Sequence, residues 1–441
     1  MLHPRPLLSL VLSALSLCGF AQGKQSAQLT LFVGTYTEDS PSEGIYVFHF
    51  NQETGHFSLR SSAKAGNPSF VVLSPNGNRL YAVSEFNDGR QGAYSFDYNP
   101  KTGRLSNPTF VSTKAGDRLG DPANRPGSDP CNLYTDGHCL ITANYSGGDI
   151  SAFKLDKRGR LHGTAQQKRF SGRDSAAVSH IHCGLSTPDG KYFLATDLGN
   201  DRIHRFDFAP NGKEILTNPH VAYEVKRGEG PRHITFDKGG KHLYLINELG
   251  GTCVVMRYND GELTEIQTLM ADEGGGRGSA DIHISPDGKF LYTSHRLKKD
   301  GIAIFSINPQ TGLLTKVGYQ LTGLHPRNFA ITPNSKYLLV ACRDDNAIQI
   351  FPSVAIFCSL TPISLGILGP VMSASITPTE YPFFLNSFAS KVVTVDFPTP
   401  PFPLITAITF FIFLSSLTLG ASFGIIFPPN LHSICFNSLL F

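Results

Sequence analysis

The stretch SPDGKFLYTSHR, Ser285–Arg296, decides how the chain is read. A Pro-Asp-Gly turn leads into an apolar, aromatic-rich strand that ends in His-Arg. The phrase recurs as SPNGNRLYAVSE from Ser74, YTDGHCLITANY from Tyr134, TPDGKYFLATDL from Thr187, DKGGKHLYLINE from Asp237 and TPNSKYLLVACR from Thr332. The turn residues Gly77, Gly137, Gly190, Gly240, Gly288 and Ser335 stand 60, 53, 50, 48 and 47 positions apart. Turn chemistry at fixed offsets, repeating about every fifty residues, specifies the blades of a propeller.

A second phrase interleaves with the first: an alternating strand, a turn often containing Thr-Gly, and another strand. It starts as GIYVFHFNQETGHFSL at Gly44, returns as GAYSFDYNPKTGRLSN at Gly92, and runs on to GIAIFSINPQTGLLTKV at Gly301. AIQIF at Ala347 begins a seventh copy and stops. Period-two alternation bounded by Gly, Pro, Asp and Asn is the mark of antiparallel strands. Naming the strands of a blade a to d from the axis outward, b occurs seven times if LTLFVGTY (Leu29–Tyr36) is counted. Strand c also occurs seven times, and a and d six times each. The expected fold is all-β, a seven-bladed β-propeller of four-stranded antiparallel blades over residues 29–351.

The missing a strand belongs to the first blade and the missing d strand to the last. A ring needs both, because an open one leaves unpaired edges. Yet residues 352–441 hold only three charged side chains, Glu380, Lys391 and Asp396, with eleven prolines and no blade phrase. Proline at this density suits neither central strands nor a long helix. The tail is therefore expected to lie outside the fold, with closure of the last blade disrupted. Its uncharged run Leu404–Phe427 is long enough to span a bilayer, which would make it a C-terminal anchor.

At the other end, Arg5 precedes an apolar run, Leu7–Phe20, and Gly19-Phe20-Ala21 offers small residues for cleavage after Ala21. This pattern predicts a signal peptide over residues 1–21 and a periplasmic or secreted protein; Cys18 raises a lipoprotein alternative. Five cysteines follow before Phe351, namely Cys131, Cys139, Cys183, Cys253 and Cys342, too scattered for a disulfide framework. With 38 Lys and Arg against 35 Asp and Glu, the chain lacks the basic excess of a nucleic-acid binder.

Chemistry is expected where inner strands meet at the axis. Strand a carries DPCN at Asp129, SHIHC at Ser179, GPRHI at Gly230, ADIHI at Ala280 and HPRNF at His325. His180, His182, Arg232, His233, His283, His325 and Arg327 are read as occupying corresponding positions. Strand b is read as ending in Glu85, Asn144, Asp197, Glu248, Arg296 and Arg343. Ionisable groups are costly to bury without partners, so their recurrence at one place points to an axial anion site. Guanidinium forks suit carboxylate or phosphate. His180 and His182 share one strand face and could begin a metal site, but the spacing alone does not establish one. No metal or other cofactor is expected, and neither a Gly-x-Ser-x-Gly elbow nor a Walker loop occurs.

At NPSFVVLSPNG, GPRHITFDKGGKHLYLINE, ADIHISPDGKFLYTSHR and HPRNFAITPNSKYLLVA, and at the opening FVGTYT from Phe32, the sequence resembles the lactonase propeller family. That family includes the propeller-type 6-phosphogluconolactonases and, more remotely, the carboxy-cis,cis-muconate cyclases. The resemblance implies opening of a sugar δ-lactone, with a small anionic lactone as the partner. By motif, its catalytic residues fall on His182 (with His180 as the alternative), Arg232, Glu248 and Arg296. His180, His233, His283, His325, Arg327 and Glu85 are expected to bind substrate. Neutral His182 would act as general base with a pKa near the working pH. The competing expectations are a non-enzymatic exported propeller that binds a glycan or protein, and a non-functional product of a damaged reading frame.

Overall fold

The computed structural model describes residues 26–38, 40–114, 126–163 and 165–352, with the backbone of two further strands at 363–366 and 371–378. The expected signal peptide and the run Leu404–Phe427 lie outside the described residues. By its internal contacts the chain divides into Met1–Ser387, which holds every described residue, and Phe388–Phe441.

Twenty-eight strands, from β1 (Gln28–Thr35) to β28 (Val371–Pro378), form seven four-stranded antiparallel sheets, and no helix occurs among the described residues. The inner strands are β4 (Val71–Leu73), β8 (Pro130–Thr135), β12 (Ile181–Ser186), β16 (Pro231–Phe236), β20 (Ile282–Ile284), β24 (Pro326–Ile331) and β28. Neighbouring inner strands touch around the ring, β24 meeting the blade before it at β21, and β28 lies between β24 and β4. Each pairs with the strand next outward: β5 (Arg79–Ser84), β9 (Cys139–Asn144), β13 (Tyr192–Asp197), β17 (His242–Asn247), β21 (Phe290–His295), β25 (Tyr337–Cys342) and β1.

The turn entering the second strand uses the left-handed backbone region in all six blade phrases. Gly77, Gly137, Gly190, Gly240 and Gly288 have φ of 72°, 92°, 70°, 65° and 76°, and Ser335 has 59°. Glycine reaches this region without a Cβ clash, which is why the phrase recurs with it. The core lies between blades. Leu31, Val33, Phe48 and Phe50 of the first sheet pack on Leu339, Ala341, Ile348 and Ile350 of the last. Similar seams join the other neighbours. Burial of each large apolar side chain contributes about 1.5–3 kcal/mol. All five described cysteines are buried and unpaired.

The expectation that residues 352–441 lie outside the fold, with closure lost, is corrected at 363–378. Strand β27 (Ile363–Gly366) pairs with β26 (Ala347–Pro352), from Ala347↔Gly366 to Ile350↔Ile363. Strand β28 pairs with β1, from Leu29↔Pro378 to Thr35↔Val371. The missing d and a strands are thus both present. The physical reason is that a ladder needs backbone N–H and C=O groups, not a blade phrase. Pro362 and Pro370 lie outside β27 and β28, and Pro378 is the last residue of β28, so neither strand carries a proline in its interior.

The inner ladders also slip by one residue at a shared place. The slip falls between Pro130 and Asn132, Ile181 and Cys183, Pro231 and His233, and Pro326 and Asn328. A β-bulge re-aims the extra residue. Those residues are Cys131, His182, Arg232 and Arg327.

Candidate active site

Two sets of side chains, one from the inner strands and one from just beyond the second strands, meet near the axis. The first is the set of bulge residues. The second comprises the residues that follow the second strand of each blade, five of them fixed by one recurring backbone bond. Glu85 N donates to Asn67 O (3.1 Å), Tyr145 N to Asp129 O (2.9 Å), Leu198 N to His180 O (2.9 Å), Glu248 N to Gly230 O (2.7 Å) and Arg343 N to His325 O (3.0 Å).

Glu248 is the hub. Its Oε2 accepts from Arg232 Nε at 2.6 Å, and its Oε1 lies 3.3 Å from an Arg296 terminal nitrogen. Arg232 is 1% exposed and among the largest fully buried side chains. It also donates to Ala280 O and, at 3.3 Å, to His233 Nε2. Arg296 donates to Gly278 O at 2.6 Å and to His325 Nε2 at 2.9 Å. A third guanidinium, Arg327, lies 3.8 Å from Glu85 Oε1, which accepts from the Tyr36 hydroxyl at 2.8 Å. Ser69, at the place where β8, β12, β16 and β24 bulge, donates to the second Glu85 oxygen. The His182 ring is edge-on to His233 at 5.1 Å and to Tyr145 at 5.7 Å, and its Nδ1 is 3.8 Å from Cys131 Sγ.

His182, Arg232, Glu248, Arg296, Arg327 and Glu85 are therefore brought together. Other expected residues sit differently. His180 stacks on Tyr145 at 4.4 Å between centroids, and its Nδ1 donates to Tyr145 O at 3.0 Å. His233 and His325 stand behind the arginines, each between an arginine and an aspartate: His233 Nδ1 is 2.8 Å from Asp281 Oδ1, and His325 Nδ1 is 3.3 Å from Asp344 Oδ2.

His283 does not occupy the position corresponding to His182. Ile282 pairs with Thr293, as Ile234 pairs with Leu245, so His283 takes the place of Thr235 and Asp281 that of His233. The Ile-His of ADIHI and of SHIHC look alike but are offset by two residues in the ladder. His283 instead pairs with Asp281 Oδ2 at 2.9 Å and packs edge-on against Phe329.

Asn144 and Asp197 likewise sit one residue before the mouth ring. They brace loops: Asn144 donates to Asp149, and Asp197 accepts from Ser179 and the His180 backbone. The ring positions belong to Tyr145 and Leu198. Tyr36, Tyr145 and Asp281 are the residues sequence reasoning missed. Alignment of YTDGHCLITANY with DKGGKHLYLINE already puts Tyr145 opposite Glu248, and that signal could have found it.

Protonation follows from this packing. Burial opposes ionisation of Glu248, but Arg232, Arg296 and Arg327 hold its carboxyl below the ordinary value. Burial, reinforced by Arg232, His233 and Arg327, pushes His182 well below 6.5, which corrects the expectation of a value near working pH. Burial and Arg232 bring His233 to about 4, with Asp281 opposing. Burial, Arg296 and Arg343 bring His325 to about 3. Burial also works against Asp281, yet His283 and His233 hold it far below the carboxylate range. The result is a carboxylate pair, neutral imidazoles and three converging guanidiniums: a site for a small anion or a developing oxyanion. Among the described residues, no group of three or more His, Cys, Asp or Glu could hold a metal ion.

Residues 30–368 match the family model described as lactonase, 7-bladed beta-propeller. A 6-phosphogluconolactonase of Formosa agariphila is 36% identical over 337 residues, covering 73% of this chain and 91% of the relative. The Bacillus subtilis 6-phosphogluconolactonase is 30% identical over 333 residues, 73% and 90% of the two chains. Among solved structures, a putative 6-phosphogluconolactonase of Bacteroides fragilis superposes with a TM-score of 0.72 at 43% identity, covering 80% of this chain and 98% of its own. The periplasmic gluconolactonase of Pseudomonas aeruginosa gives 0.70 at 26% identity, covering 80% and 100%. With relatives named for lactone hydrolysis and a family model over most of its length, the chain belongs to the seven-bladed β-propeller lactonase family.

Proposed function

We propose that this protein hydrolyses a sugar δ-lactone of the gluconolactone class at the axial Arg232–Glu248–Arg296 cluster. The observation that carries the reading is the gathering of Arg232, Arg296 and Arg327 around the two carboxylates of Glu248 and Glu85. As water attacks the lactone carbonyl, negative charge grows on the carbonyl oxygen. Arg232 and Arg296, fixed in advance by Glu248, are donors suited to stabilise it. Neutral His182 accepts the water proton as general base. Collapse of the tetrahedral intermediate expels the ring oxygen, which takes up that proton and leaves a hydroxy acid. Tyr145, half-buried beside His182, offers an aromatic face to the sugar ring.

The export signal read at residues 1–21 and the likeness to a periplasmic gluconolactonase both support action outside the cytosol, on an unphosphorylated lactone. A pH-stat assay on glucono-δ-lactone and its 6-phosphate, corrected for spontaneous opening, tests this. Hydrolysis of the first at least as efficient as that of the second supports it. Preference for the phosphate ester overturns the substrate assignment, and no rate above background on either overturns the function.

A further inference from the structure

Each of the two guanidiniums on Glu248 is backed by the same two-residue unit, although the units come from different blades. Arg232 donates to His233 Nε2 (3.3 Å), whose Nδ1 meets Asp281 (2.8 Å). Arg296 donates to His325 Nε2 (2.9 Å), whose Nδ1 meets Asp344 (3.3 Å). A guanidinium can only donate and an ionised carboxylate can only accept. Both imidazoles are therefore neutral and protonated on Nδ1, with the Nε2 lone pair turned to the arginine.

The inner unit is the more strongly built. Asp281 is 3% exposed and accepts from three blades: His233 Nδ1 on one, Ile282 N (2.9 Å) and His283 Nε2 (2.9 Å) on its own, and Asn328 Nδ2 on the next. Its amide is tied to Ser294 Oγ (3.0 Å), and the carbonyl of the preceding residue, Ala280, accepts from Arg232 itself. Asp281 thus stands behind two partners of Arg232: His233, which its carboxylate holds, and Ala280 O, which precedes it in the chain.

We propose that Asp281 is a positioning residue for lactone opening: through His233 it locks the imidazole tautomer whose lone pair orients Arg232, and Asp344 with His325 does the same for Arg296. The proposal rests on the functional reading above, in which Arg232 stabilises the oxyanion. A donor aimed at charge that grows only in the transition state loses effect when misaligned, so the loss falls on kcat rather than KM.

The test combines kinetics with a spectrum of the full chain. In Asp281→Asn, kcat on glucono-δ-lactone should fall roughly 10- to 100-fold, the range associated with a misplacement of about 1 Å, with KM within about threefold. In an Arg232→Lys background the same substitution should cost less than about threefold, because the group it positions is gone. Nitrogen-15 spectra of the imidazoles should show His233 protonated on Nδ1 in the wild type and redistributed in Asp281→Asn. Full kcat in a folded Asp281→Asn, equal losses in both backgrounds, or a wild-type His233 protonated on Nε2 would each overturn the proposal. If Asp281→Asn fails to fold, His233→Gln, which removes the relay and spares the Asp281–His283 pair, carries the same kinetic comparison. Should Arg232→Lys itself retain full activity, the functional reading fails instead, and the tautomer measurement still judges the structural half of the proposal.

Discussion

Glu248 holds Arg232 through a 2.6 Å bond from Nε to Oε2, sixteen residues apart in the chain, while its other oxygen faces Arg296 at 3.3 Å. One carboxylate thereby keeps two like charges side by side in a buried mouth. Removing one partner of such a group leaves uncompensated charge, which costs about 3–5 kcal/mol when fully buried. At 20% side-chain exposure, Glu248 belongs toward the lower end of that range.

Glu248→Gln should lower lactone hydrolysis by about 10²-fold or more, comparable with loss of one preorganised oxyanion donor. Thermal unfolding should show a moderate loss of stability alongside it. Steady-state kinetics with a melting curve checks both, and unchanged kcat in a folded Glu248→Gln would remove Glu248 from the mechanism.

Activity should persist well into acid. The working forms, ionised Glu248 and neutral His182, are both favoured by depressed pKa values. Their protonation occurs below the ordinary values of 4.5 and 6.5, so kcat should stay level between about pH 8 and pH 6. An acid limb centred near 6.5 would show an ordinary histidine in control.

Stability should move differently. His233 at about 4 and His295 and His325 at about 3 are neutral in the fold at pH values where the unfolded chain binds protons on them. Stability is therefore full above about 6.5 and falls as pH drops toward those folded values, by up to about 1.4 kcal/mol per pH unit for each such proton. His283, raised by Asp281 against burial, acts in the opposite sense. Denaturant unfolding at pH 7.0 and 5.0 should give a lower midpoint at 5.0, and an equal or higher midpoint would contradict the buried neutral histidines.

A chain ending after residue 378 should fold and keep activity, because every described strand precedes that point. Ending after residue 352 removes β27 and β28 and bares the edges of β26 and β1. That variant should aggregate or melt much lower. Equal stability of the two truncations would show that the ring closes by other means.

The blade count and the axial gathering of Arg232, Glu248 and Arg296 were legible because turn spacing and strand alternation are local properties. Register was less so. A one-residue bulge is invisible to phrase matching, so the shared Ile-His placed His283 beside His182 when its ladder position is that of Thr235. Closure was hidden for another reason: β27 and β28 are recruited by unpaired backbone on β26 and β1, which leaves no phrase in the sequence. Asp281 was passed over because its role comes from partners 47 and 48 residues away, Asn328 and His233.

The most direct measurement is the rate of glucono-δ-lactone opening by Arg232→Ala beside the wild type, with circular dichroism to establish folding. The wild type should show a clear rate above spontaneous opening, and a folded Arg232→Ala should lose about 10²- to 10³-fold. A folded variant opening the lactone as fast as the wild type would contradict this expectation.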